Sequence, residues 1–85
     1  MEVKRGLVVR SVAGHDKGGF FTVLEVQKDF AFLCDGKRRP LEHPKKKKIK
    51  HLALTVTELS DSSMKTNREI RKALHPFQYG DAKES

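Results

Sequence analysis

A chain of 85 residues holds one small domain with a single modest core, so two domains are excluded. Its 36% apolar and 34% charged residues describe a polar-surfaced protein; the longest apolar run, Phe30-Ala31-Phe32-Leu33-Cys34, falls far short of the ~20 residues of a membrane-spanning helix, and the opening MEVKRG has no apolar export segment, so a cytoplasmic location is expected. The net charge of +7 is carried by one strip, residues 37–51 (KRRPLEHPKKKKIKH), which holds eight of the 18 Lys and Arg and one of the 11 acidic residues while the rest of the chain is balanced; such a footprint suits a polyanion.

From residue 6 to 35 β-branched and aromatic residues dominate and turn residues recur at short intervals, a strand pattern. Residues 7–12 (LVVRSV) read as a first strand, and 13–19 (AGHDKGG) as a glycine-rich turn in which Gly18 takes positive φ. Residues 20–26 (FFTVLEV) read as a second strand, Lys28-Asp29 as a tight turn, and 30–34 (FAFLC) as a third strand. Cys34 is the only cysteine, which excludes an internal disulfide, fits a reducing compartment and, inside an apolar strand, reads as an inert buried thiol. Asp35-Gly36 is a strong hairpin signal and predicts a fourth, Pro40-interrupted edge strand over 37–42. Residues 49–57 (IKHLALTVT) alternate as a fifth strand. Five short strands predict a small, mainly β, SH3-like barrel over residues 1–58, because closure removes exposed edges.

The period then changes. Residues 59–65 read as a flexible linker. Thr66-Asn67-Arg68-Glu69 fits a capping box opening a short C-terminal helix over 66–76, with Ile70, Ala73 and Leu74 on one face and Pro76 as its stop. That face is expected to dock on the barrel and leave Arg68, Arg71 and Lys72 outward as a secondary basic patch. Residues 80–85 are expected to fray.

Residues 6–19, GLVVRSVAGHDKGG, resemble a KOW motif: a glycine, a short apolar strand, a polar loop ending in Lys-Gly, then a second apolar strand, with Gly18 at the motif's most characteristic position. The resemblance runs on through FAFLCDGKRRPLEHPKKKKIKHL and covers about residues 4–54. In this combination the chain resembles bacterial KOW-domain proteins related to the large-subunit ribosomal proteins of archaea and eukaryotes, the e-type proteins numbered fourteen, six and twenty-seven. What the resemblance implies is an SH3-like barrel and RNA binding in a ribosomal or translation-linked setting. The C-terminal helix lies outside the pattern.

Lys37, Arg38, Arg39, Lys45, Lys46, Lys47, Lys48 and Lys50 carry enough charge to neutralise several phosphates, each contact releasing counterions. A solvated linker is the plain alternative, but the run lies between two strands and so projects from a fixed frame, and the fold is not expected to depend on it. The loop His15-Asp16-Lys17-Gly18-Gly19 offers backbone N–H groups to a phosphate. By residue chemistry it is equally a plain hairpin connection, and the resemblance tilts it to RNA. Of Phe20, Phe21, Phe30, Phe32 and Phe77, two or three are expected in the core and at most Phe20 or Phe30 exposed for bases. The four histidines lack metal-ligand spacing, and no nucleophile or phosphate-loop motif occurs. No metal, cofactor, small-molecule substrate or catalytic residue is expected. The chain thus reads as a monomeric, non-catalytic RNA-binding module for ribosomal or other structured RNA. The alternative is a protein-interaction adaptor whose barrel binds an acidic partner.

Overall fold

The run Leu7-Val8-Val9 has no single apolar face, a pattern that a strand carries when both of its faces are covered. In the computed structural model, which describes residues 2–80, all three are buried. Strand β1 (Leu7–Ser11) pairs antiparallel with β2 (Phe20–Gln27) and with β5 (Leu52–Glu58). Strand β3 (Phe30–Cys34) lies between β2 and β4 (Lys45–Lys48), so the sheet runs β4-β3-β2-β1-β5. On its inner face Leu7, Val9, Phe21, Val23, Ala31 and Leu33 form one core, closed by Val3, Ile49, Leu52 and Leu54.

A flat five-stranded sheet is about 19 Å wide from edge to edge at a strand spacing of ~4.8 Å. Yet β4 and β5, its two edges, are joined by three residues, the 3₁₀ turn Ile49–His51. Four Cα steps reach at most about 14 Å when extended, and a 3₁₀ turn rises only ~2 Å per residue. The sheet must therefore curl until its edges approach. The result is the mainly β, SH3-like architecture expected, with one departure: β4 and β5 do not pair, so hydrogen bonding leaves the sheet open.

The helix α1 (Asn67–His75) starts where the capping pattern places it: Thr66 Oγ1 accepts the Glu69 N–H at 3.1 Å. Ile70 and Leu74 are fully buried and Ala73 half-buried. With Met64 they cover Val8 and Cys34 on the outer face of the sheet, forming a second core. Burying each large aliphatic side chain contributes about 1.5–3 kcal/mol, enough to hold a helix that is marginal alone. Within residues 59–65 the 3₁₀ turn Asp61–Met64 delivers Met64 into that core. After α1 the chain continues as a π-helical turn, Pro76–Gly80. The frayed segment expected over 80–85 lies outside the described residues except for Gly80.

The expected strand over 37–42 does not form. The Asp35 carboxylate accepts the backbone N–H groups of Lys37 and Arg39, each at 2.8 Å, and the N–H groups of Asp35 and Gly36 both point to the Arg39 carbonyl. The segment thus closes on itself as an Asx-type turn before a ladder can start, and side-chain competition with the backbone wins. Pairing resumes only after Pro44, so the fourth strand is the lysine run itself, with Phe30 opposite Lys48, Ala31 opposite Lys47, Phe32 opposite Lys46 and Leu33 opposite Lys45.

Candidate nucleic-acid interface

The turn after β3 is fixed to the rest of the molecule from two sides. Arg39 Nη2 donates to both oxygens of Asp16 at 3.2 Å, and the Asp16 side chain is only 8% exposed. Arg71 Nη1, from α1, donates to the Gly36 carbonyl at 2.8 Å. Asn67 receives the Leu41 N–H on Oδ1 and donates through Nδ2 to Glu42, which holds the Glu42 carboxyl below the usual carboxylate range. Gly36 sits so close to α1 that a Cβ there would collide with the Asn67 carbonyl.

The 13–19 loop is organised from within. Its Lys17, Gly18 and Gly19 N–H groups donate to the carbonyls of Gly14, Ser11 and Asp16. Those three donors are therefore turned to the loop's own carbonyls. Gly18 has φ +91°, as the motif reading requires, and the space around it is open. Gly19 lies against the Phe21 ring, where a Cβ would fit tightly, 3.2 Å from the ring and 3.3 Å from the Asp16 carbonyl. What the loop presents outward is His15 and Lys17.

The two anchored segments converge with the end of α1 on one groove. A recess of about 690 Å³ is lined by Asp35, Lys37, Arg71, Lys72, His75, Pro76 and Gln78. It shares Asp35, Lys37 and Gln78 with an adjoining hollow of about 230 Å³ that reaches His15, Lys17 and Arg38. Lys17, Lys37, Arg38, Arg71 and Lys72 bring five positive charges to this combined surface. The Asp16 carboxylate there is matched by Arg39, and Asp35 is turned to its own backbone N–H groups. The balance is strongly positive, which suits an anionic ligand. Arg68, one turn earlier on α1, is exposed but is not among these lining residues.

The lysine run is divided by strand alternation. Lys46 and Lys48 are exposed, and Lys45 is half-buried. Lys47 is 9% exposed, and its Nζ donates to the Ala13 carbonyl at 2.7 Å, which ties β4 to the β1–β2 loop. The run is thus divided in role, with Lys47 turned inward to the protein and Lys46 and Lys48 outward. Asp16, Arg39 and Lys47 are all engaged within the protein rather than presented to a ligand. Lys48 and Lys50 line a separate hollow of about 540 Å³ with Asp29, Phe30 and Ile49. Of the five phenylalanines, Phe21 is fully buried in the inner core, Phe20 and Phe77 pack half-buried against the helix-side core, and Phe30 and Phe32 are half-buried outside both.

Several contributors escape sequence reasoning. Gln78 follows a helix-stopping proline and reaches the groove only because the π-helical turn folds it back. The Asp16–Arg39 pair spans 23 residues of chain and has no local signal. Asp35 did carry one, since Asx turns are common before glycine, but the hairpin reading of Asp-Gly competed with it. Burial pushes the Cys34 thiol up to about 11, against a smaller opposing pull from the Gly36 backbone, so it stays protonated and inert at neutral pH. Among the described residues no group of three or more His, Cys, Asp or Glu is placed to hold a metal ion, and no helix is long and apolar enough to cross a membrane. No protein-family model matches the chain, and no curated protein matches it either.

Proposed function

We propose that this protein is a non-catalytic RNA-binding module that acts in the cytoplasm on ribosomal or other structured RNA, in a translation-linked role, with the basic groove as its principal contact. The observation that carries this reading is convergence: charges from three separate stretches of sequence, at Lys17, Lys37-Arg38 and Arg71-Lys72, line one concave surface. Charge kept only for solubility has no reason to gather in a recess with buried anchors behind it. The resemblance to KOW-domain proteins supports RNA as the polyanion and the ribosome as the setting. Phosphate contacts at Lys37, Arg38 and Lys72 position the RNA, and His15 and Gln78 meet base or sugar groups, since phosphates alone carry no sequence information.

The test is the salt dependence of RNA binding in a Lys37→Gln, Arg38→Gln, Lys72→Gln variant. The slope of log affinity against log salt flattens by about 2 for three lost contacts on single strands, and by somewhat more on a duplex. An unchanged slope with intact folding removes the groove from the interface. Displacement of RNA by polyglutamate as readily as by competing RNA assigns the groove to an acidic protein partner instead. Crosslinking in cells with sequencing of the attached RNA then identifies the target.

A further inference from the structure

The second basic surface has a different chemistry. Along β3 the side chains alternate: Ala31 and Leu33 enter the inner core, while Phe30 and Phe32 lie on the opposite face. Helix α1 covers that outer face at Cys34, where the second core forms, and neither Phe30 nor Phe32 belongs to either core cluster. By contrast Phe20 packs on Phe77 with ring centroids 5.5 Å apart and joins the helix-side core. Two half-buried rings thus stand two residues apart on a strand, outside the cores that account for the other phenylalanines.

Lysines interleave with them. Exposed Lys48 pairs across the ladder with Phe30, and exposed Lys46 with Phe32. The Lys46 ammonium lies over the Phe30 ring, 4.5 Å from its centroid, so this face of the ring is covered by an exposed side chain and not by the core. The hollow of about 540 Å³ beside Phe30 is flanked by Lys48 and Lys50. Carboxylates are present too: Asp29 lines the hollow, and Glu25, opposite Phe32 on β2, accepts from Gln27 at 3.0 Å. The charge excess is small, so phosphate attraction alone does not explain the surface.

We propose that the outer face of the β3–β4 ribbon, centred on Phe30 and Phe32, is a stacking platform for the unpaired bases of single-stranded RNA, a second contact that rests on the RNA-binding reading of the groove. Aromatic faces with interleaved lysines are what an unstacked strand requires, because every base has a π face and its phosphates lie alongside. Spacing selects the ligand. Rings two residues apart on a strand stand about 6.6 Å apart, roughly twice the rise between stacked bases, so bases taken up side by side belong to an extended strand. A duplex keeps its bases stacked internally and offers these rings nothing. A base settling on Phe30 displaces the Lys46 ammonium and frees it for the adjoining phosphate.

The experiment compares the full chain with Phe30→Leu and Phe32→Leu variants. Its probes are an oligouridylate carrying one fluorescent purine analogue and a blunt-ended RNA duplex. Each Leu variant is expected to lose about 5- to 150-fold in affinity for the oligouridylate and most of the analogue's stacking quench, with the salt slope and duplex affinity unchanged. Phe30→Tyr and Phe32→Tyr keep both the quench and the affinity, which separates loss of stacking from any loss of fold in the Leu variants. Phe20→Leu lowers the melting temperature without touching the quench. If the Leu variants fold and bind the oligouridylate as the parent does, while the groove variant weakens it, the platform is refuted and the RNA reading stands. If the parent binds neither probe, both fail. Polyglutamate that competes for this face independently of the two rings assigns it to an acidic protein and overturns the proposal.

Discussion

Replacing Lys47 separates the structural part of the lysine run from its exposed part. Its ammonium makes a charge-assisted hydrogen bond at 2.7 Å to the Ala13 carbonyl, in a residue only 9% exposed. Hydrogen bonds to charged groups contribute roughly 1.5–3 kcal/mol. The Ala13 oxygen also accepts from Ser11 Oγ at 3.1 Å, so removing Lys47 does not orphan it, and the lower half of that range applies. Lys47→Met keeps most of the aliphatic stem, leaving the loss of this bond as the main term: about 1.5–2 kcal/mol, or a fall in melting temperature of about 6–16 °C for a domain of this size. Lys48→Gln, at an exposed position, changes stability by no more than about 0.5 kcal/mol. Lys46→Gln adds at most the loss of a cation–π contact, about 0.5–1 kcal/mol. Thermal and urea denaturation followed by far-ultraviolet circular dichroism measure all three. The reasoning is refuted if Lys47→Met melts with Lys48→Gln, or if Lys47→Met flattens the salt slope of RNA binding as much as an exposed lysine does.

Gly18→Ala and Gly36→Ala both place a side chain at positive φ, but only Gly36 also meets the Asn67 carbonyl; Gly18→Ala therefore costs about 1 kcal/mol in denaturant titration and Gly36→Ala clearly more. Ile70→Ala in the helix-side core is expected to cost about 2–5 kcal/mol by the same measurement, and removal of everything after Ser60 to leave no cooperative melting transition, because Val8 and Cys34 lose their cover; a truncated chain that melts like the parent contradicts this. The thiol of Cys34 is raised on folding from 9.0 to about 11, so its contribution is fully present below pH 9 and is lost as pH rises toward 11. Urea titrations of the parent and Cys34→Ala at pH 8 and pH 11 measure it: the parent loses about 2 kcal/mol more than the variant, and equal losses count against a buried thiol.

How much of the molecule was legible varies with how local the deciding forces are. Strands β1, β2 and β3, the positive φ of Gly18 and the helix with its Thr66 cap follow from alternation, turn chemistry and capping, all of which act over a few residues. The docking face of α1 was legible too, since Ile70 and Leu74 share one side of a helix and need a partner. The fourth strand was misread because Asp35 had two local options, and only the two N–H groups it captures favour the Asx-type turn. A run of lysines reads as solvent-facing, yet β3 presents an open edge, and any residue with an N–H can fill it.

Charge and the types of residue in the interface were therefore set by the amino-acid sequence alone: a basic strip, a glycine loop and a basic helix. Tertiary structure decided which of those charges act together. Lys17, Lys37, Arg38, Arg71 and Lys72 meet because Asp16 clamps Arg39 and Arg71 reaches Gly36, contacts between residues 23 and 35 positions apart in the chain. The same folding turned Lys47 inward, paired Arg39 internally and left Phe30 and Phe32 outside both cores. Sequence patterns report the preference of a residue for a kind of environment, whereas a site is a set of distances, and those exist only after the curled sheet and its helix have brought remote segments together.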